Sequence, residues 1–259
     1  MENPEKMKIA LVQSPLIWED PKANRNAFQA KLQSIPQDVD MAILPEMFTT
    51  GFTMTPGHID ASEGMQTVEW MQNLAQQHQI ALVGSVVFQE KGNYYNRLHF
   101  VEPNGEFSAY DKKHTFTLAG EHEKYESGKE RLFIDYKGFK FCPLICYDLR
   151  FPVWARNTEE YDALIYVANW PKPRISAWDA LLKARAIENM AYCIGVNRVG
   201  LDNLGHEYVG HSAAYDVLGN QLVFSDEEDI LYTTLDKEHI RRYRDKLRFL
   251  DDRDDFILK

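Results

Sequence analysis

The sequence predicts a single domain of the mixed α/β class. Short apolar segments typical of buried strands alternate with segments of helical periodicity along the 259 residues. Two turn signals, Pro103-Asn104-Gly105 and Lys137-Gly138, each separate a pair of strand-like segments. Both pairs are predicted β-hairpins, so the sheets are expected to be mixed rather than purely parallel. No repeat, low-complexity tract or linker divides the sequence.

The elements follow from local periodicity and from the turn residues between them. In the first half, the predicted strands are 9–13, 41–45 and 80–88, and the predicted helices are 21–33 and 66–78. The two hairpins are predicted at 94–101 with 106–111, and at 132–136 with 139–147. Then come a helix at 175–190 and strands at 163–169, 192–199, 211–215, 222–224 and 230–235. The charged segment 241–259 is interpreted as a C-terminal arm, or alternatively as solvated helix and coil.

Composition indicates an ordinary globular protein and excludes several classes of function. Hydrophobic residues make up 44% and charged residues 26% of the sequence. The net charge of -10 argues against a nucleic-acid or anionic-membrane surface. No apolar run approaches the ~20 residues of a membrane span. Three cysteines without a metal-type CxxC pair, and no visible signal peptide, predict a protein of the reducing cytoplasm.

Cys146 lies where an apolar strand gives way to a polar turn. The apolar run Phe141-Cys-Pro-Leu-Ile-Cys146 is followed at once by polar residues, and Pro152 then suits the first turn of a helix. A thiol at such a strand-to-helix turn has its sulfur at the end of the sheet beside backbone N–H groups, as in the nucleophile elbow of hydrolases. The alternative is that this cysteine is a small core residue.

Three charged residues lie at the ends of predicted strands or in an adjoining loop. Glu46 follows the strand at 41–45, Lys112 closes a second strand, and Glu121 lies in a charge-rich loop. Each alone is typical of solvated surface charge. Together with the thiol they supply a base, a cation and a nucleophile, which is the set that amide hydrolysis by covalent catalysis requires.

Three segments resemble the motif blocks of the nitrilase (carbon–nitrogen hydrolase) superfamily, in the family's order and at comparable spacing. They are Pro45-Glu46, Tyr110-Asp-Lys112-Lys-His114-Thr-Phe116 and Leu144-Ile-Cys146-Tyr-Asp-Leu-Arg-Phe-Pro152. The resemblance implies an α-β-β-α sandwich with a Glu-Lys-Cys triad that needs no metal or cofactor. It also implies a homodimer or higher homo-oligomer, with the arm from residue 241 packed across the interface.

By position in these motifs, the resemblance assigns Glu46 as general base, Lys112 as catalytic lysine and Cys146 as nucleophile. Lys112 is preferred to Lys113 because the family's lysine stands two residues before the motif histidine, here His114. The mechanism that follows has the thiol attack an amide carbon after Glu46 takes its proton.

A second glutamate supports the triad in this family. Glu121 matches it because it stands seven residues before Gly128, and Glu123 is the alternative. The oxyanion is expected between the lysine and the backbone N–H of Tyr147, and one such donor is worth ~3–4 kcal/mol of transition-state stabilisation.

Segments 46–52, 167–174 and 183–189 resemble the ω-amidase branch, whose members release ammonia from 2-oxoglutaramate and similar ω-amides of short dicarboxylates. The substrate's carboxylate needs a cation other than the triad lysine. Arg150 and Arg174 are the candidates, because a guanidinium can bind a carboxylate bidentately. A structural Arg150 would instead pair with a buried acid such as Asp148 or Glu188. The predicted apolar walls are Phe52 and Trp170, unless these are core residues.

Other interpretations stay open at this point. An N-carbamoyl-amine hydrolase or a nitrilase would use the same triad on a different carbon. A Cys-His hydrolase would take its base from His114, His122 or His211. A non-catalytic oligomeric interaction protein would retain the fold alone, although it has no need of a thiol, a base and a cation together.

Overall fold

Two six-stranded sheets form the centre of the structure, a computed structural model that describes residues 5–258. The strands are β1 (Lys6–Gln13), β2 (Met41–Ile43), β3 (Ala81–Glu90), β4 (Asn93–Val101), β5 (Phe107–Asp111), β6 (Ile134–Tyr136), β7 (Phe139–Ile145), β8 (Ala163–Val167), β9 (Tyr192–Val196), β10 (Val199–Leu201), β11 (Glu207–Val209), β12 (Ser212–Tyr215), β13 (Gln221–Ser225) and β14 (Asp229–Asp236). The α-helices are α1 (Pro21–Gln33), α2 (Glu63–His78), α3 (Pro152–Ala155), α4 (Ile175–Asn189) and α5 (Lys237–Leu247).

Both sheets are mixed, as the hairpin signals predict. The first sheet has the order β14-β1-β2-β3-β4-β5, in which β1, β2 and β3 are parallel. The second has the order β13-β12-β9-β8-β7-β6, in which β7, β8 and β9 are parallel. The two predicted hairpins are β4–β5 and β6–β7. Strands β10 and β11 form a separate two-stranded hairpin.

Alternation along β1 shows how the layers form. Ile9 and Leu11 point into the core between the two sheets, which also holds the inner side chains of β7, β8 and β9. Ala10 and Val12 point to the opposite face, where they join the side chains of α1 and α2. Successive side chains of a strand face opposite sides of a sheet, so one apolar strand serves two layers. The predicted α-β-β-α sandwich is thereby confirmed.

Helix α4 covers the outer face of the second sheet at very short range. A Cβ at Gly195 of β9 would lie 2.4 Å from Leu182 Cδ1 and 2.7 Å from Trp178 Cζ2. Those separations are below van der Waals contact, so a residue without a side chain is required where the helix crosses the strand.

The predicted strand 192–199 is wrong at its C-terminal end. Strand β9 ends at Val196. The side chain of the next residue, Asn197, donates to the carbonyl oxygens of Trp170 and Gly210, at 2.9 and 2.7 Å. The hairpin β10–β11 that follows is absent from the prediction. Its strands have three residues each and lack a buried apolar run.

The C-terminal segment is more ordered than its charge suggests. Helix α5 begins at Lys237, after the Asp236 side chain caps its first N–H groups. Ile240 is buried in the main apolar core, and Arg244 donates to the carbonyl oxygens of Met190 and Tyr161. The start of the predicted arm is therefore a helix fixed to its own chain. Every helix in the described part of the chain is too short or too polar to cross a membrane.

Candidate active site

The four predicted triad and support residues meet at one end of the sandwich. Glu46 follows β2, Lys112 follows β5, and Cys146 follows β7. Glu121 opens the short 3-10 helix Glu121–Glu123. Strands of both sheets thus deliver their C-terminal residues to one place, as the sequence predicts.

A fully buried ammonium is held between two fully buried carboxylates. Lys112 Nζ lies 2.9 Å from Glu46 Oε1 and 2.8 Å from Glu121 Oε2, and none of the three side chains is exposed. Burial works against the charge of Lys112, but the carboxylates of Glu121 and Glu46 outweigh it and raise its pKa. Burial also raises the pKa of Glu121, against the attraction of Lys112. The choice of Lys112 and Glu121 over their neighbours agrees with this geometry, because Glu123 is exposed.

Asn96 is a buried member of the cluster that the sequence analysis missed. Its Nδ2 donates to Glu46 Oε1 at 2.8 Å and to Glu121 Oε1 at 3.2 Å. Its Oδ1 accepts from Ser85 Oγ at 2.9 Å. Asn96 therefore adds a second donor, beside the ammonium of Lys112, between the two carboxylates. The only available signal is a polar residue inside the strand predicted at 94–101.

Asn169 joins Glu46 to the second sheet. Its backbone N–H donates to Glu46 Oε2 at 2.8 Å, and its Nδ2 donates to the Glu46 carbonyl oxygen at 2.6 Å. The sequence analysis included Asn169 in a resembling segment but gave it no role. The contact spans 123 positions in sequence, so only the fold reveals it.

Cys146 has the strained turn geometry of a nucleophile elbow. Its φ is +43°, in the left-handed region, and it begins the 3-10 helix Cys146–Arg150. The first N–H groups of a helix lack intrahelical partners, and that of Tyr147 is among them. Asp148 fixes the turn, since its Oδ2 accepts from the N–H of Ile145 at 3.0 Å and from Tyr110 Oη at 2.8 Å.

The surroundings of the Cys146 thiol oppose its ionisation. Desolvation raises its pKa well above the usual range, and the negative charge of Glu46 adds to the effect against the attraction of Lys112. The other two cysteines are fully buried in strands, as the sequence predicts, and burial raises the pKa of Cys142 to about 12. Only Cys146 among the three is partly exposed.

The histidines proposed for a Cys-His hydrolase are engaged elsewhere. His114 Nδ1 lies 2.8 Å from Asp148 Oδ1, and its ring stacks on Phe151 with centroids 3.6 Å apart. His211 pairs with Asp179 at 3.0 Å, and His122 is exposed. The buried group beside the thiol that can accept its proton is therefore the carboxylate of Glu46 and not a histidine.

A cavity of about 310 Å³ opens above Cys146. This volume suits a small-molecule ligand. All five predicted substrate-binding residues line it: Phe52, Tyr147, Arg150, Trp170 and Arg174. The other lining residues, to which the sequence assigns no role, are Met54, Phe116, Leu118, Ala119, Asn169, Pro171, Asp202, Leu204, His206 and Tyr208.

Two guanidinium groups in the cavity wall lie over aromatic rings. Arg150 lies 4.9 Å from the Trp170 ring centroid, and Arg174 lies 5.1 Å from that of Phe116. Among residues 5–258, neither arginine has a carboxylate within 4.0 Å, whereas Arg185 has one. A positive charge without an acidic partner in a ligand-sized cavity is suited to an anionic ligand group.

Arg150 forms neither of the ion pairs suggested for a structural role, with Asp148 or with Glu188. Asp148 accepts instead from Tyr110, from the backbone N–H of His114 and from the His114 ring. Glu188 pairs with Arg185 at 2.9 Å. Arg150 itself is exposed to the cavity.

The tip of the β10–β11 hairpin forms the outer wall of the cavity. Asp202 accepts from the backbone N–H groups of Leu204 and His206 at 2.9 Å, and from Tyr208 Oη at 3.0 Å. These hydrogen bonds outweigh the burial of Asp202 and lower its pKa. One carboxylate therefore orders the whole tip.

In the described residues, no group of three or more His, Cys, Asp or Glu side chains is arranged to hold a metal ion.

The comparisons with known proteins agree with this geometry. Residues 8–245 match the family model described as carbon-nitrogen hydrolase. The chain is 43% identical to omega-amidase YafV of Escherichia coli (strain K12), covering 97% of this chain and 98% of that protein. It is 30% identical to the 2-oxoglutaramate amidase of Bacillus subtilis (strain 168), with 95% and 97% covered.

A solved structure supports the same assignment. The CN-hydrolase superfamily protein XC1258 of Xanthomonas campestris, which carries an arsenic adduct in its active site, superposes with a TM-score of 0.96 and 37% identity. The superposition covers 99% of this chain and all of the other. The fold, the matched family model and these relatives show that the chain belongs to the carbon–nitrogen hydrolase family.

Proposed function

We propose that this protein is an ω-amidase that hydrolyses 2-oxoglutaramate or similar ω-amides of short dicarboxylates and releases ammonia. The observation that carries the proposal is the cavity that has both the thiol of Cys146 and the guanidinium of Arg150 in its wall, with the buried carboxylate of Glu46 beside the thiol. A substrate with an amide at one end and a carboxylate at the other can place its amide at the thiol and its carboxylate at the guanidinium. Relatives named omega-amidase and 2-oxoglutaramate amidase support the same activity.

In the acylation step, Glu46 takes the proton of Cys146 while the sulfur attacks the amide carbon. The carbonyl oxygen becomes an oxyanion, bound by Lys112 Nζ and the backbone N–H of Tyr147. The C–N bond then breaks as Glu46 returns the proton to the nitrogen, which leaves as ammonia. The product is a thioester on Cys146, and Glu46 is again ionised.

In the deacylation step, water replaces ammonia and the same groups act in the same order. Glu46 takes a proton from the water, whose oxygen attacks the thioester carbon. The C–S bond breaks, the carboxylic acid leaves, and the proton returns to the sulfur of Cys146. Glu121 holds Lys112 in place throughout, through the contacts of 2.8 and 3.1 Å.

The charges of the cluster explain why a thiol with a raised pKa can react. At rest, one ammonium and two carboxylates give the site a net charge of minus one, and Cys146 is neutral. When Glu46 takes the proton, the net charge is unchanged, because a carboxylate is exchanged for a thiolate. The reaction therefore needs no new uncompensated charge in the buried site.

We also propose that the enzyme acts in the cytoplasm as a homodimer. Its three cysteines are free, which fits a reducing compartment.

The C-terminal arm carries exposed apolar residues, with Phe249 55% and Ile257 88% exposed, which a second subunit would cover. Light scattering of the purified protein is expected to give twice the chain mass of 30.1 kDa, and the mass of one chain would contradict the dimer.

Ammonia release from 2-oxoglutaramate tests the proposed activity. We expect turnover of 2-oxoglutaramate and of succinamate, and none above background by Cys146→Ala. Butyramide, which lacks the carboxylate, is expected to react far more slowly. Arg150→Ala should weaken hydrolysis of succinamate and leave that of butyramide unchanged, because only succinamate has a charge for the guanidinium to bind.

An N-carbamoyl amino acid and a small nitrile complete the substrate set. Turnover of either one, with 2-oxoglutaramate unreacted, would contradict the ω-amidase assignment and keep the triad. A Cys146→Ala protein with the rate of the unaltered enzyme would contradict the mechanism.

Two neighbouring glutamates give a matched test of the support role. Glu121→Gln removes a charge that holds Lys112, so we expect kcat to fall about 100-fold or more, the scale of losing an oxyanion donor. Glu123→Gln changes an exposed residue of the same short helix and is expected to leave kcat unaltered. Steady-state kinetics on one amide measures both, and similar rates for the two variants would rule out the role of Glu121.

A further inference from the structure

Asn169 carries a buried hydrogen-bond acceptor that nothing in the described residues uses. The residue is 5% exposed and contributes to the wall of the cavity that contains Cys146. Its N–H and its Nδ2 are both engaged by Glu46, whereas its Oδ1 has no hydrogen-bond partner. Buried acceptors without partners are rare in folded proteins because they lose their hydration without compensation. In a ligand cavity, the missing partner is expected on the ligand.

The orientation of the Asn169 amide is fixed by its neighbour. The carbonyl oxygen of Glu46, 2.6 Å from the side chain, can only accept a hydrogen bond. The Nδ2 group must therefore face it. A flipped amide would place two acceptors in contact, so Oδ1 is the atom left without a donor.

The chemistry of the substrate identifies the donor that fits. In the proposed mechanism, Lys112 and the N–H of Tyr147 bind the carbonyl oxygen, and Arg150 binds the carboxylate. All of these protein groups are donors. A 2-oxo ω-amide has its only N–H groups on the amide nitrogen, so that nitrogen is the one part of the substrate that needs an acceptor.

We propose that Asn169 Oδ1 accepts a hydrogen bond from the scissile amide nitrogen and so makes the site select amides over esters. The proposal rests on the proposed function and deepens it. The oxygen of an ester has no hydrogen to donate, and its lone pairs would face Oδ1. Asn169 Oδ1 thereby distinguishes an amide nitrogen from an ester oxygen on the same acyl chain. This role is separate from the contacts that the N–H and Nδ2 of Asn169 make with Glu46.

The test compares succinamate with the monomethyl ester of succinate, which form the same thioester on Cys146. For Asn169→Ala we expect the ratio of kcat/KM for the amide to that for the ester to fall by about 10- to 100-fold. The matched control is Asn96→Ala, which also removes a donor from Glu46 but lies outside the cavity lining. It is expected to slow both substrates by the same factor.

Equal losses on amide and ester in Asn169→Ala would overturn the proposal, because Asn169 would then act only through Glu46. If that variant does not fold, Asn169→Ser, whose hydroxyl can still donate, is measured for the same change in ratio. An unaltered enzyme that hydrolyses neither succinate derivative would contradict the proposed substrate. The ratio would then be measured on the primary amide that the enzyme does hydrolyse and on its methyl ester.

Discussion

The buried ion cluster of Lys112, Glu46 and Glu121 is the interaction on which the site depends. Removing one partner of a buried ion pair typically costs ~3–5 kcal/mol, because it leaves a charge without compensation. The cluster therefore holds the ends of β2 and β5 and the loop of Glu121 in a fixed relation. It also has one carboxylate more than the lysine can neutralise, and in the proposed mechanism the carboxylate of Glu46 takes the proton of Cys146.

The second constraint is the joining of the two sheets around this cluster. Glu46 follows a strand of the first sheet, and Asn169 follows a strand of the second. The N–H of Asn169 donates to Glu46 Oε2, and its Nδ2 donates to the Glu46 carbonyl oxygen. Cys146 also comes from the second sheet, and Asp148 ties its turn to Tyr110 of the first. The proposed nucleophile and the proposed base therefore belong to different sheets, whose separation is set by the packed core. The family's sandwich is the means by which this distance is fixed.

Local patterns in the sequence indicated three residues of the candidate site. Glu46, Lys112 and Cys146 each stand at the end of a predicted strand, and the motif spacing favoured Lys112 over Lys113. The local pattern does not indicate Asn96, because a single polar residue within a strand does not show which face of the sheet it occupies or which side chains it contacts. It also missed the outer wall at Asp202, whose hairpin has strands too short for the periodicity of side chains to indicate them. Contacts between distant segments, such as that of Asn169 with Glu46, follow only from the completed fold.

The most direct test of the account is the rate at which iodoacetamide alkylates Cys146 with and without the base. Tryptic peptide 141–150 contains both Cys142 and Cys146, and fragmentation in mass spectrometry separates the two sites. We expect selective modification of Cys146 in the unaltered enzyme and a large loss of that rate in Glu46→Gln, in which Lys112 stays paired with Glu121. An equal rate in both proteins would contradict the claim that Glu46 takes the proton of Cys146.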